Sequence, residues 1–307
     1  MGCSPPVEDS PPITTTTTPV KVEYPLGDPD VPPDQGGPGF QPAAGDGWTT
    51  DESFQPEGDP DAVKGGAVRY WMRFPPTVRI VGKDSSTAAT TVIRELCYES
   101  LLTRHSDTLE LIPRLATHWQ ISEDRRRFRF RINPRAHWAN GRPVIADDVA
   151  ATWDLLMDQK ILQPAQQVIY GKFKRPKAIS KYMVEVNCHD DAWNNLHTIA
   201  TMPIFPAHVI GDLDGTEYLS LSQFHALVGS GPYELRDADV RRGRSLTFRR
   251  RADYWGADER FAVGQYNFDI IRLVSTEDSV LGLEKTKKGE IDIYRVGKAK
   301  DWGVDLP

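Results

Sequence analysis

The sequence predicts an α/β protein, because strand-like alternation and helix-like apolar stripes follow one another along the chain. The clearest strand is Arg127-Phe128-Arg129-Phe130-Arg131-Ile132, where strict alternation puts Phe128, Phe130 and Ile132 on one face and the arginines on the other. The clearest helix follows Ala146: Asp147 and Asp148 suit the positive helix end, and Val149, Trp153 and Leu156 recur behind them at helical spacing. A length of 307 residues allows two lobes and a sizeable core.

The ordered pattern begins at Gly65-Gly66. Ala67 to Met72 reads as a first strand, closed by Phe74-Pro75-Pro76 because proline cannot donate to a ladder. A helix is expected from about Thr87 to Leu102, with Leu96, Tyr98, Leu101 and Leu102 as its apolar stripe. Pro113 opens an extended segment through Ala116, His118 and Trp119 into the Arg127–Ile132 strand. Asn140-Gly141 is a tight-turn pair, since both residues tolerate positive φ. The helix after Ala146 continues irregularly to 170, broken at Pro164, and Ala178 to Val186 alternates like one strand. Trp193 to Ala200 reads as helix, then Tyr233–Leu235, Ser245–Arg249 and Asn267–Val274 as strands, with Arg241-Arg242-Gly243 a turn. Ser279 to Lys287 fits a short helix, and Ile291 to Tyr294 a last strand.

Charge divides the chain. Residues 1–64 hold 2 Lys or Arg against 12 Asp or Glu, with 13 of the 24 prolines, so the overall net charge of −6 hides a globular part at +4. Such a segment lacks the apolar content to offset its ordering entropy and is expected to be a disordered tether. No stretch approaches 18 consecutive apolar residues, so no transmembrane helix is expected.

Few residues of the chain fall into patterns that carry chemistry. The sequence contains no GxxxxGK[ST], GxGxxG, HExxH, GxSxG or CxxC pattern, so no catalytic residue, metal or cofactor is expected. His189-Asp190-Asp191 is the nearest thing to a metal cluster, but adjacent donors at a strand end point to alternate faces. The arginine runs 125–131 and 241–251, with Phe128, Phe130 and Phe248, raise nucleic-acid stacking. Alternation buries the phenylalanines opposite the arginines, and a charge of +4 is mild, so solvated strand faces are expected and no nucleic-acid partner. Cys97 and Cys188 are expected to be two separate buried thiols rather than a disulfide.

Six blocks in order resemble the family 5 extracellular solute-binding proteins, the oligopeptide- and dipeptide-binding receptors of ABC importers. They are Gly65-Gly66, the run from Tyr98-Glu99-Ser100-Leu101-Leu102 to Leu156, Pro203 to Val209, Gly229 to Tyr233, Asp253-Tyr254-Trp255-Gly256, and Lys288-Gly289-Glu290-Ile291-Asp292. They span about residues 65–296, and Tyr254 to Ile271 further resembles the YejA-like branch. The resemblance implies a type II periplasmic-binding-protein-like fold of mixed sheets flanked by helices, with no catalysis. On that reading residues 65–80 and 195–295 form the first ligand-binding lobe and 81–194 the accessory lobe. Residues 296–307 begin a second large lobe that is mostly absent.

The resemblance also supplies the site and partners. The loop after the first strand lines the family's ligand cleft, which makes Trp71, Arg73 and Phe74 candidate ligand-binding residues, joined by Trp193 and Ser230. Met1-Gly2-Cys3-Ser4 has no hydrophobic leader and Pro6 rules out a myristoylation motif. Gly2-Cys3-Ser4 instead resembles the end of a lipobox, implying a lipidated Cys3 that anchors the chain at a periplasmic or cell-surface membrane. The expected function is capture of peptides by a monomer that hands them to a membrane permease. Two rivals stand beside it: a non-transporting surface interaction module, and a metal-dependent extracytoplasmic hydrolase using His189, Asp190 and Asp191.

Overall fold

The computed structural model describes residues 30–297. Strands are numbered in chain order: β1 Trp48–Thr49, β2 Ala67–Trp71, β3 Leu102–Arg104, β4 Leu111–Pro113, β5 Ala116–Ile121, β6 Arg127–Ile132, β7 Lys177–Ser180, β8 Met183–Asn187, β9 Tyr233–Arg241, β10 Ser245–Arg250 and β11 Ile270–Val274. The α-helices are α1 Ala88–Cys97, α2 Ala146–Met157, α3 Pro164–Tyr170, α4 Asn195–Ala200, α5 Ala207–Ile210, α6 Gly215–Leu221 and α7 Ser279–Lys287.

Two sheets organise these elements. A five-stranded antiparallel sheet runs β1-β5-β6-β8-β7. A four-stranded sheet runs β2-β11-β10-β9, with β2 and β11 parallel and the other pairs antiparallel. A separate β3–β4 hairpin sits between them in sequence. One continuous apolar core joins both sheets, from Phe130 and Val184 of the first to Phe248 and Leu273 of the second. A mixed α/β fold is therefore what the alternating patterns build.

Local chemistry explains the element ends. Thr87 caps α1 by accepting from the Thr90 N–H, while the Thr90 hydroxyl accepts from the Thr87 N–H, a reciprocal capping box. α2 starts at Ala146 as its acidic first turn requires, and Asp148 reaches back to accept from the Ile145 N–H at 2.8 Å. Pro164 does not break a helix but begins one, α3, where its missing N–H costs nothing.

Several expectations are corrected. The helix expected to reach Leu102 ends at Cys97, because Leu102–Arg104 pairs with Leu111–Pro113 instead. Leu101 and Leu102 are fully buried, so their apolar pattern reflects core chain rather than a helical stripe. The 178–186 run is a hairpin, β7 and β8, folded at Lys181-Tyr182. The last strand reduces to one parallel bridge between Ile293 and Tyr70.

The tether expectation fails for residues 30–64, while residues 1–29 lie outside the described residues. Phe40, Trp48 and Phe54, spread through an acidic proline-rich stretch, give it enough apolar contact to pack. Phe40 lies edge-on to Trp48 and His118, with ring centroids 5.4 and 5.3 Å away. Arg131 is the second device. Its side chain is buried, contrary to the expected solvated arginine face, and donates to the carbonyls of Gly36 and Gly37 at 2.8 and 2.9 Å. Trp48 and Thr49 then extend the five-stranded sheet along the free edge of β5.

Candidate ligand-cleft edge

Sheet register decides which candidate residues share a place. Ala67 pairs with Ile270 and Trp71 with Val274, while Ser245 faces both Val274 and Arg241. One end of the four-stranded sheet is therefore marked by Trp71, Val274, Ser245 and Arg241. The other end is marked by Ala67, Ile270, Arg250 and Tyr233.

Trp71 is fixed at the first end from three sides. Its N–H donates to the Ile293 carbonyl at 2.9 Å, its indole Nε1–H to Thr276 Oγ1 at 2.7 Å, and its ring lies 5.1 Å from that of Tyr294. Gly282 of α7 presses against the indole: a Cβ there would fall 2.3 Å from Trp71 Nε1. The Lys288–Asp292 block explains how this packing is held. Asp292 accepts from Arg69 Nε at 3.0 Å, Nη2 at 2.8 Å and the Arg69 N–H at 2.7 Å. Those bonds from Arg69 hold the Asp292 carboxyl below the usual carboxylate range despite some burial.

The loop after β2 closes a ring of contacts at the same end. The Met72 carbonyl accepts from Ser275 Oγ at 2.6 Å, and the Ser275 N–H donates to the Arg244 carbonyl at 2.7 Å. Two residues on, the Phe74 ring is 6.4 Å from Phe224, and the Arg242 guanidinium sits 4.1 Å over Phe224. Arg73 is exposed beside them. Val280, Leu281 and Ile293 add exposed apolar surface around Trp71. The result is an open edge of aromatic, arginine and aliphatic groups, suited to stacking and charge-assisted hydrogen bonding.

The structure brings Trp71, Arg73 and Phe74 together but not the other candidates. Ser230 precedes Tyr233 at the opposite end of the sheet, fully buried, with its Oγ unpartnered and its carbonyl taken by Arg251 Nη1 at 3.1 Å. It cannot touch a ligand from there. Its neighbours show why glycine flanks it: a Cβ on Gly229 would fall 1.8 Å from the Cys97 carbonyl oxygen. Trp193 stands 84% exposed in the turn before α4, outside the group. Cys3 lies outside the described residues. Phe224, Arg242, Arg244, Thr276 and Tyr294 are site neighbours that the sequence alone did not single out. Three arginines within one four-residue turn, 241–244, were the available signal.

Elsewhere the reactive side chains are otherwise engaged. Asp190 accepts from the Ala192 N–H at 3.1 Å and Asn195 Nδ2 at 2.8 Å, which makes it a turn cap before α4. His189 borders an open groove of mixed charge, lined by Asp46, Glu123 and Asp124 as well as Arg126, Arg127 and Lys174. Among the described residues no group of three His, Cys, Asp or Glu is placed to hold a metal ion. Cys97 and Cys188 are both free and buried, and burial pushes the Cys188 thiol up to about 11, away from reactive thiolate.

The family blocks meet at a buried node. Glu99 accepts from Arg114 Nε at 2.8 Å, Tyr254 OH at 2.6 Å and Trp255 Nε1 at 2.8 Å. Arg114 in turn lies 4.2 Å over the Phe261 ring. The Tyr98–Leu102 block is thus tied to the Asp253–Gly256 block through one carboxylate.

The family model for bacterial extracellular solute-binding proteins, family 5 (middle) matches residues 110–304. The chain belongs to that family. It is 34% identical over 250 residues to the peptidoglycan-binding protein YepA of Agrobacterium fabrum, covering 78% of this chain and 39% of that protein. YejA of Escherichia coli is 27% identical over 211 residues, 68% of this chain and 33% of its own length. These place it in the YejA-like branch. The chain thus spans about two-fifths or less of these relatives' lengths. Among solved structures, the oligopeptide-binding protein AppA of Bacillus subtilis, in complex with a nonapeptide, superposes with a TM-score of 0.65 at 18% identity. That match covers 79% of this chain and 46% of AppA, and the shared fold is the type II periplasmic-binding-protein fold.

Proposed function

We propose that this family 5 chain carries the peptide-binding face of an extracytoplasmic receptor that delivers its ligand to an ABC permease. Residues 65–80 and 195–295 would supply the first lobe and 81–194 the accessory lobe, with lipid on Cys3 as the membrane anchor. The observation that carries the reading is the edge built by Trp71, Phe74, Phe224 and Tyr294 where the loop after β2 meets the Lys288–Asp292 block. Aromatic faces accept varied side chains, one demand of broad peptide capture. AppA, which shares the fold, holds a nonapeptide.

Titrating the full chain with alanine peptides of two to nine residues, followed by calorimetry, tests this. Saturable heat that Trp71→Ala weakens supports the reading. Silence across the whole series would remove peptide binding from the chain. YepA's 34% identity favours a narrower version in which the peptides come from peptidoglycan. Competition by soluble peptidoglycan fragments against the alanine peptide bound best would support it, and indifference would not.

A further inference from the structure

We propose that a cavity floored by Arg114, at the end of the four-stranded sheet away from Trp71, binds a small uncharged sugar. The site is distinct from the candidate edge, and the inference stands whether or not that edge binds peptide.

The cavity holds about 720 Å³, within the range of small-molecule sites. The last turn of α1, the β3–β4 hairpin and the loop around Tyr266 border it. Tyr266 lies edge-on to Tyr233, with ring centroids 6.4 Å apart, which puts the cavity at the sheet end that Tyr233 marks. The N-terminal segment completes one wall. Its Glu57 accepts from the Ser106 N–H at 2.5 Å and from Gln265 Nε2 at 2.9 Å.

The floor is held in place before any ligand arrives. Arg114 is nine-tenths buried and tied through Nε to Glu99 at 2.8 Å. Its guanidinium lies 4.2 Å over the Phe261 ring and 5.6 Å over that of Tyr266. That leaves the two Nη groups as the donors at the floor, with the Tyr266 hydroxyl beside them. Tyr266 reaches this place with a φ of 56°, a left-handed backbone that a bulky residue seldom adopts. Such outliers gather at ligand sites.

The walls select the ligand. Ser100 and Thr201 spend their hydroxyl protons on the Leu102 and His197 carbonyls, at 2.7 and 2.9 Å, so their oxygens can only accept from a ligand. Glu57 and Glu95 add carboxylate acceptors. A ligand must therefore bring several donors for the walls and an acceptor for Arg114. An ammonium group has no acceptor. A carboxylate has no donor, and it would meet Glu57, Glu95 and Glu99 against only Arg94 and Arg114. A hydroxyl both donates and accepts, and a sugar carries one on nearly every carbon.

The test titrates the full chain with glucose, maltose, N-acetylglucosamine and diacetylchitobiose in calorimetry. Wild type is compared with Glu95→Trp, which crowds the cavity from an exposed helix position that the fold tolerates, and with Trp71→Ala at the opposite sheet end. At least one sugar should saturate wild type, with affinity about tenfold lower in Glu95→Trp and unchanged in Trp71→Ala. Silence from all four sugars overturns the inference. So does an affinity that survives Glu95→Trp, or one that falls only in Trp71→Ala, which would move the sugar to the candidate edge. Displacement of the sugar by acetate or trialanine would overturn the ligand class. The Arg114 Nε–Hε resonance of wild type gives a reading free of any variant: the sugar should shift it, and an unmoved resonance overturns the site.

Discussion

Glu99 offers the sharpest test of how this fold is held together. Its side chain is fully buried and that of Arg114 is 10% exposed, so neither charge has appreciable water to fall back on. Burial pulls the Arg114 pKa down, but Tyr254, Tyr266 and Glu99 more than offset that and leave it above ordinary arginine. Glu99→Gln keeps the shape and removes the charge. The remaining amide oxygen can still accept from Arg114 and Tyr254, whereas the new NH2 meets the Trp255 Nε1–H, donor against donor. The variant therefore strands a buried cation and an indole N–H together. Breaking a buried pair from one side costs about 3–5 kcal/mol, a large share of the roughly 5–15 kcal/mol that stabilises a typical domain. Urea unfolding followed by circular dichroism would show a midpoint shift of that size without a change in slope.

A second variant separates charge from packing. In Glu99→Leu/Arg114→Met both charges leave at once, so the uncompensated ion disappears and only the Tyr254 and Trp255 donors lose a partner. That double variant should be more stable than Glu99→Gln, despite carrying more changes. A cost below about 1 kcal/mol for Glu99→Gln, the range of exposed pairs, would refute the reasoning. So would a double variant that merely adds the two single losses.

Three further outcomes follow from the packing of other buried groups. Burial pushes Asp148 up to about 6, against the bonds it accepts from Ile145, Ala207 and Trp138, so the native state holds that proton more tightly than the unfolded chain. Its contribution to stability falls by roughly 3 kcal/mol as pH rises from about 4 to about 6; the stability gap between wild type and Asp148→Asn should narrow by that amount over the window, and a constant gap would contradict it. Gly282→Ala places a Cβ against the Trp71 indole and should cost roughly 1–3 kcal/mol while shifting tryptophan fluorescence, with an unchanged spectrum counting against the packing described. Arg131→Met releases the Gly36 and Gly37 carbonyls, so limited proteolysis should cut between residues 32 and 40 faster than in wild type.

The fold was legible wherever a single element carried its own pattern. Phe128, Phe130 and Ile132 announced β6, the acidic turn at Asp147-Asp148 announced α2, and Ser279–Lys287 matched α7. The β3–β4 hairpin was not legible, since strands of three residues are too short to show a period and its leucines mimic the end of α1. Residues 30–64 were misread for a different reason. Composition averages over the window, whereas packing depended on three aromatic rings and on an arginine nearly a hundred positions away.

The candidate site divides along the same line. Trp71, Arg73 and Phe74 were found because a strand end and the loop after it are contiguous in sequence. Ser230 sat in an equally prominent block, yet a block does not say which end of the sheet its strand enters from. β9 runs antiparallel to β10, so the residues before Tyr233 arrive at the end away from Trp71, and only the turn at its far end, Arg241 to Arg244, reaches the candidate edge. A Gly-Ser-Gly run invites a ligand-binding reading, but here it serves close packing against the Cys97 backbone. Strand direction therefore assigns the two arginine-rich stretches opposite work. Arg131 turns inward to hold the chain's own N-terminal segment through two carbonyls. Arg242 and Arg244 stay exposed in the turn that the β9–β10 register brings to the candidate edge.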